Sequence, residues 1–136
     1  GKTVQTIALC LASPRPANAP GTLVLCPVSL LANWGVELSK CLPAESRHLI
    51  LDSIGKKKFK TNPDGLADYD IVLSSYSLLK GSPVLQLRWH RLVLDESHEG
   101  IKNPRSVQSQ LVQQIKASRR WCLSGSPCPL GPGDLA

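Results

Sequence analysis

Short apolar runs alternate along the chain with segments whose hydrophobic residues recur every three or four positions. Each run has four or five residues, a length typical of strands that are buried on both faces and too short for most helices. Loop-forming residues separate the segments, for example Pro20–Gly21 and Asn62–Gly65. The strands predicted from these runs are Thr22–Cys26, His48–Leu51, Asp70–Leu73, Arg91–Leu94 and Arg120–Leu123.

Three segments have the spacing of amphipathic helices. The first covers residues 3–12, the second follows Ser29 as its cap, and the third begins with Asn103 as cap and Pro104 at its first position. Their predicted buried faces are Val4, Ile7, Ala8 and Leu11, then Leu30, Leu31, Trp34, Leu38 and Cys41, then Val107, Leu111, Val112 and Ile115. The alternation of strands and helices predicts an α/β fold, a parallel sheet with helices on both faces.

The tripeptide Gly1-Lys2-Thr3 opens the first predicted helix and suits phosphate binding. A helix N-terminus offers an anion unpaired N–H groups and the positive end of the helix dipole. Lys2 would reach the β- and γ-phosphates of a nucleotide, and the Thr3 hydroxyl would ligate Mg²⁺. On three residues alone, a helix start that happens to hold lysine and threonine is an equal alternative.

Two adjacent carboxylates, Asp95 and Glu96, follow the predicted strand Arg91–Leu94. Parallel sheets bind ligands at the carboxyl ends of their strands, and buried carboxylates need a cation or hydrogen bonds to offset their burial. Asp95 would hold Mg²⁺ directly or through water, and Glu96 would orient and deprotonate the attacking water. The alternative is a strand that simply ends in solvent.

Three further features each have an ordinary structural explanation beside a functional one. His98 is either a loop histidine or part of the site. The turn Ser124-Gly125-Ser126-Pro127 is either an ordinary turn or a group of hydroxyls that sense a neighbouring carboxylate or histidine. The basic run Lys56–Lys60 favours a solvated surface loop, with contact to a phosphate backbone as the alternative.

Composition narrows the class of protein only modestly. With 136 residues, 42% of them hydrophobic, the chain is one domain or part of one and can pack a core. The net charge of +6 mildly favours a polyanion as partner. The five cysteines show no zinc-ligand spacing, so we expect reduced, mostly packed thiols in an intracellular protein. No run approaches the ~20 apolar residues of a membrane span, so no membrane partner is expected.

Five segments of the chain, taken in order, resemble the motifs of the SWI/SNF-type ATPases. These are superfamily 2 translocases of double-stranded DNA in chromatin remodelling and repair. The string Cys26–Trp34 followed by Glu37 is the most family-specific of the five, and Gln5, three residues after the lysine, is typical of the family. The segments are residues 1–9, 26–34, 71–76, 94–98 with 101–103, and 123–127. The resemblance therefore spans nearly the whole chain.

The resemblance implies an ATP-dependent motor of two RecA-like lobes, with ATP and Mg²⁺ as cofactors. Residues 1–136 would be part of the N-terminal, ATP-binding helicase lobe, and the second helicase lobe would be absent. Double-stranded DNA, and with it nucleosomes, would be partners in the nucleus. The resemblance assigns coupling between the ATP and DNA sites to His98, Ser124, Gly125 and Ser126. It assigns DNA contacts to Pro27, Ser29, Asn33, Ser75 and Tyr76.

Three departures from the family pattern bear on these expectations. Glu99 and Gly100 stand where the family usually has one residue, so the loop after the acidic box is one residue longer. Pro129 and Leu130 replace a Gln-Asn pair that the family usually carries. The first strand and part of the P-loop are missing, which would expose unpaired edges on two strands of the sheet. This fragment alone is therefore expected to be poorly soluble or only partly ordered, to bind ATP weakly or not at all, and to be inactive.

Two alternatives to the DNA motor stay open. One is another superfamily 2 helicase that acts on RNA, against which the string Cys26–Trp34 argues. The other is a degenerate, non-catalytic scaffold, which the departures would allow. Lys2, Asp95 and Glu96 argue against that alternative, since a decayed site has no reason to keep all three.

Overall fold

A five-stranded parallel sheet forms the centre of the fold in the computed structural model, which describes residues 2–12, 15–16, 19–95 and 107–123. Its strands are β1 (Thr22–Cys26), β2 (His48–Ile50), β3 (Ile71–Ser75), β5 (Arg91–Leu94) and β7 (Arg120–Cys122). A separate parallel pair consists of β4 (Arg88–Trp89) and β6 (Lys116–Ala117). The order across the main sheet is β2-β3-β1-β5-β7. The predicted parallel sheet of an α/β fold is therefore confirmed.

Four α-helices accompany the sheet in the described part of the chain. They are α1 (Lys2–Ala12), α2 (Leu31–Cys41), α3 (Ser53–Lys60) and α4 (Val107–Gln114). Short 3₁₀ segments cover Val28–Leu30, Pro63–Asp68, Tyr76–Leu78 and Pro83–Gln86. Helices were predicted where α1, α2 and α4 lie, whereas Asn103 and Pro104 fall outside the described residues. None of the described helices is long and apolar enough to cross a membrane.

Side chains of the central strands alternate between two apolar clusters, one on each face of the sheet. On one face, α3 and α4 supply Phe59 and Val112, and on the other, α1 and α2 supply Ile7 and Trp34. The strand residues of the first cluster are Leu23, Leu25, Val72, Leu92 and Leu94. Those of the second cluster are Val24, Cys26, Ile71, Leu73 and Val93. Helices thus cover both faces, as the continuous apolar runs predicted.

Several details of the helix predictions are wrong. Ser29 does not cap α2, because a 3₁₀ segment, Val28–Leu30, precedes that helix and no side chain among the described residues caps it. Val4 and Leu11 are 43% and 41% exposed and Ala8 is exposed as well, since α1 is buried chiefly through Ile7 and its neighbour Thr6. Val107, predicted on the buried face of the third helix, is 61% exposed. The basic run Lys56–Lys60 is part of α3 and not of a loop.

The five strands of the main sheet pair without a gap. β1 pairs with β3 on one side and with β5 on the other, and β5 pairs with β7. The expected pair of open inner edges is therefore not found, and within the described ranges the outer strands are β2 and β7.

Close backbone contacts at Gly21 join three strands at the amino-terminal edge of the sheet. The Gly21 carbonyl accepts hydrogen bonds from the backbone N–H groups of His90, at 3.0 Å, and Arg91, at 3.3 Å. The N–H of the next residue, Thr22, donates to the Asp70 carbonyl at 2.9 Å. A Cβ atom at position 21 would lie only 2.2 Å from that Asp70 oxygen, so the strands meet this closely only with glycine there.

The cysteines follow the expectation of reduced thiols only in part. Cys10, Cys26 and Cys41 are free, and Cys26 is fully buried. Cys122 is disulfide-bonded, so the expectation is wrong at that position.

Candidate active site

The carboxyl ends of β1, β3 and β5 lie side by side at one edge of the sheet. The parallel register pairs Cys26 with Ser75 and Leu25 with Leu94. The residue that follows each strand therefore opens onto the same edge, where parallel sheets bind their ligands. These residues are Pro27, Tyr76 and Asp95.

The contacts of α1 with the sheet indicate where its first turn lies. Near the other end of the helix, Cys10 Sγ lies 3.5 Å from Thr22 Oγ1 at the start of β1. The 11 residues of α1 span about 16 Å at ~1.5 Å per residue. The five residues of β1 span about the same length at ~3.3 Å per residue. Since α1 packs on the sheet through Ile7, a helix that runs antiparallel to β1 would bring its first turn level with the carboxyl end of that strand.

Asp95 is fixed at the end of β5 by hydrogen bonds from three different parts of the fold. Its backbone N–H donates to the Leu25 carbonyl at 2.8 Å, and its carbonyl accepts from the Tyr76 hydroxyl at 3.0 Å. Its side-chain Oδ2 accepts from Trp34 Nε1 at 2.7 Å. Asp95 is 9% exposed and sits at the border of the core, where these bonds offset the cost of burying its carboxylate.

Cys26, at the end of β1, does not add a second negative charge beside Asp95. Burial raises the pKa of its thiol to about 12, and the nearby Asp95 carboxylate adds to the rise. The thiol therefore stays protonated at neutral pH and adds no negative charge at this point of the sheet.

The oxygen atoms at this edge fit a magnesium ion that is bound together with a nucleotide. The described ranges hold no group of three or more His, Cys, Asp or Glu side chains that could bind a metal. Magnesium rarely needs such a cage, because it keeps waters and phosphate oxygens and takes one or two protein ligands. Trp34 Nε1 donates a hydrogen bond to Oδ2 of Asp95, whereas Oδ1 accepts no hydrogen bond from a described residue. Oδ1 and the hydroxyl of Thr3, which is partly exposed, are the two protein oxygens predicted to bind the ion, and this role stays a prediction.

The residues predicted to contact DNA divide into two groups by exposure. Ser29 and Asn33 are exposed and Pro27 is partly exposed, all in the segment that leads from β1 into α2. Ser75 and Tyr76 are only 2% and 4% exposed. Direct DNA contact by these two side chains stays a prediction, and their burial counts against it.

Several predicted site residues lie outside the described residues, so their placement stays a prediction. They are Gly1, Glu96, His98, Ser124, Gly125 and Ser126. Lys2 is the first residue of α1. Of the predicted acidic pair Asp95 and Glu96, only Asp95 is among the described residues.

Sequence reasoning identified Trp34 as a core residue, which its 1% exposure confirms, but missed its bond to Asp95. One signal was available, because a buried indole N–H needs an acceptor and an apolar helix face does not supply one. Sequence reasoning also missed the hydrogen bond from the Tyr76 hydroxyl to the Asp95 carbonyl. The same kind of signal was available, because a buried tyrosine hydroxyl also needs a partner.

Comparison with known proteins places this arrangement in a family. The profile described as SNF2-related domain matches residues 1–136. The human helicase-like transcription factor is 34% identical over 121 residues, which are 84% of this chain and 12% of that protein. The human SWI/SNF-related matrix-associated actin-dependent regulator of chromatin subfamily A member 1 is 33% identical over 131 residues, 93% of this chain and 12% of that protein. The chain thus spans about an eighth of the length of these relatives.

A solved structure supports the same assignment at the level of the fold. The Sulfolobus solfataricus SWI2/SNF2 ATPase core in complex with double-stranded DNA matches with a TM-score of 0.79 and 35% identity. The match covers 93% of this chain and 26% of that chain. The predicted RecA-like lobe is confirmed by this match, and the chain belongs to the SNF2-related domain family of SWI/SNF-type helicase-like ATPases.

Proposed function

We propose that the protein containing this chain is a DNA-dependent ATPase that converts ATP hydrolysis into translocation on double-stranded DNA. Residues 1–136 form part of its first, ATP-binding lobe, and a second lobe of the same protein completes the motor. The observation that carries this proposal is the fixed Asp95 carboxylate at the carboxyl edge of the sheet.

The residues at this edge suit phosphoryl transfer, which needs positioning and charge neutralisation more than covalent chemistry. Gly1, Lys2 and Thr3 hold the phosphates of ATP at the start of α1, and Glu96 orients and deprotonates the attacking water. Asp95 and Thr3 supply oxygens to Mg²⁺. When bound, the ion neutralises the charge that develops on the phosphates.

The DNA contact that the structure supports best lies on the exposed segment before and within the first turn of α2. Ser29 and Asn33 present polar side chains to solvent at the edge that holds Asp95, and the chain carries a net charge of +6. Exposed polar side chains of this kind donate to phosphate oxygens. His98 and the residues Ser124 to Ser126 are the proposed link between the nucleotide and the DNA.

The biological process is proposed from the relatives. A regulator of chromatin, a helicase-like transcription factor and a DNA repair protein are among them. These relatives support chromatin remodelling or DNA repair in the nucleus, with nucleosomes as partners.

The proposed activity predicts that ATP hydrolysis by the full-length protein rises on addition of duplex DNA. Duplex RNA of the same sequence serves as the matched control. Stimulation by RNA and not by DNA would identify an RNA helicase of the same superfamily. A folded protein without nucleic-acid-dependent hydrolysis would identify a degenerate scaffold.

Replacing both Ser29 and Asn33 with alanine should weaken the response to DNA without removing hydrolysis. Two lost polar contacts of about 1 kcal/mol each should raise the DNA concentration for half-maximal stimulation about tenfold or more. The control is Ser39→Ala, because Ser39 is also exposed on α2 but lies towards its other end. An unchanged DNA concentration in the double variant would mean that this segment does not contact DNA.

A further inference from the structure

Trp34 makes the one side-chain hydrogen bond to the Asp95 carboxylate that the described residues contain. Nε1 lies 2.7 Å from Oδ2, and the two side chains come from different parts of the fold, α2 and the end of β5. Trp34 is 1% exposed, so water cannot replace the indole as donor without a rearrangement of the core.

The other two hydrogen bonds of Asp95 hold only its backbone. Without the indole bond, they would leave the carboxylate free to rotate. The Leu25 carbonyl and the Tyr76 hydroxyl fix the N–H and the C=O of the residue. Rotation about the side-chain bonds of Asp95 would still move both carboxylate oxygens. The indole bond removes this freedom, and it aims Oδ1 at a constant position.

The position of Trp34 within α2 gives this bond a second consequence. Asn33, the preceding residue, is exposed and belongs to the segment proposed to contact DNA. Trp34 faces the opposite way, into the cluster that includes Val24 and Val93 of the sheet. A shift of α2 on DNA would therefore move the donor that holds Asp95.

We propose that Trp34 is a positioning residue for Asp95, which sets the affinity of the site for a divalent cation through the indole N–H. This inference rests on the proposed function, because it takes Asp95 as the metal ligand. Trp34 does not touch nucleotide or metal in this proposal and acts through the carboxylate alone.

The test measures metal binding directly in the full-length protein carrying Trp34→Phe. Phenylalanine keeps an aromatic ring in the core and removes the N–H donor. Binding of Mn²⁺ in the presence of ADP, followed by the electron paramagnetic resonance signal of free Mn²⁺, should weaken about tenfold. Affinity for ADP in EDTA should stay unchanged, because the indole is proposed to act on the metal ligand alone.

The chain offers a matched control in Trp89→Phe. Trp89 is also fully buried, and its Nε1 donates at 3.0 Å, but the acceptor is the backbone carbonyl of Val84 on the opposite face of the sheet. This variant loses the same kind of donor and should bind Mn²⁺ as the unmodified protein does. Should Trp34→Phe fail to fold, benzothienylalanine at position 34 replaces the N–H with sulfur at nearly the same shape.

Unchanged Mn²⁺ affinity in a folded protein without the donor at position 34 would overturn this inference and leave the proposed function standing. Equal weakening in the Trp89 variant would also overturn it, since the effect would then come from general loosening of the core. Absence of DNA-stimulated hydrolysis in the unmodified protein would be a separate result, and it would contradict the proposed function.

Discussion

Replacing Asp95 with asparagine should reduce DNA-stimulated ATP hydrolysis by about a thousandfold, because stabilisation of transition-state charge by a metal is worth several kcal/mol. The substitution removes the negative charge at the end of β5 and preserves the volume of the side chain. The amide oxygen can still accept the bond from Trp34 that Oδ2 accepts now. Steady-state hydrolysis by the full-length protein at saturating DNA measures the effect.

A control at an exposed carboxylate separates the role of Asp95 from a general loss of charge. Asp64 lies exposed in the 3₁₀ segment Pro63–Asp68, away from the carboxyl edge. Asp64→Asn should hydrolyse ATP at the rate of the unmodified protein. Hydrolysis in Asp95→Asn within a few-fold of normal would exclude Asp95 from the metal site and would require another ligand.

Replacing Gly21 with alanine should destabilise the sheet by about 3 kcal/mol or more, near the upper end of the cost of overpacking. The added Cβ would lie 2.2 Å from the carbonyl oxygen of Asp70 and 2.9 Å from its carbonyl carbon. Both atoms belong to the backbone, so β1 and β3 must separate at the point where Thr22 bonds to Asp70. Amide hydrogen exchange of peptides from β1 and β3 should accelerate about a hundredfold.

The matched control for this prediction is Gly81→Ala. Gly81 has a φ of 70°, which disfavours alanine, but a Cβ atom added there would have no neighbouring atom within 4 Å. Its cost should be about 1 kcal/mol from backbone conformation alone. If the two variants exchange alike, the close approach at Gly21 does not limit the stability of the sheet.

The main sheet could be predicted from sequence because its strands are covered on both faces. The run Thr22–Cys26 is buried at every position, so no alternation with polar residues obscures it. In contrast, α3 was missed, because its four lysines leave few apolar positions to show a period. The cap was the usable signal there, since Asp52 accepts from the Gly55 N–H at 2.7 Å.

The candidate site could be predicted in its residue types but not in its internal contacts. Asp95 was identified because two carboxylates follow an apolar strand, and in a parallel sheet the carboxyl ends of all strands lie at the same edge. The bond from Trp34 joins residues that are 61 positions apart in the chain. No local pattern encodes such a pair, because it depends on how α2 packs across the sheet.

The position of β1 in the sheet has a consequence for synthesis of the protein on the ribosome. Both neighbours of this strand, β3 and β5, come later in the chain. The apolar segment Leu23–Leu25 therefore leaves the exit tunnel long before Leu94 is available to pair with it. Unpaired apolar strands at this stage favour aggregation and chaperone binding. We expect slower translation after residue 26 to lower the soluble yield, even though the completed sheet buries that strand entirely.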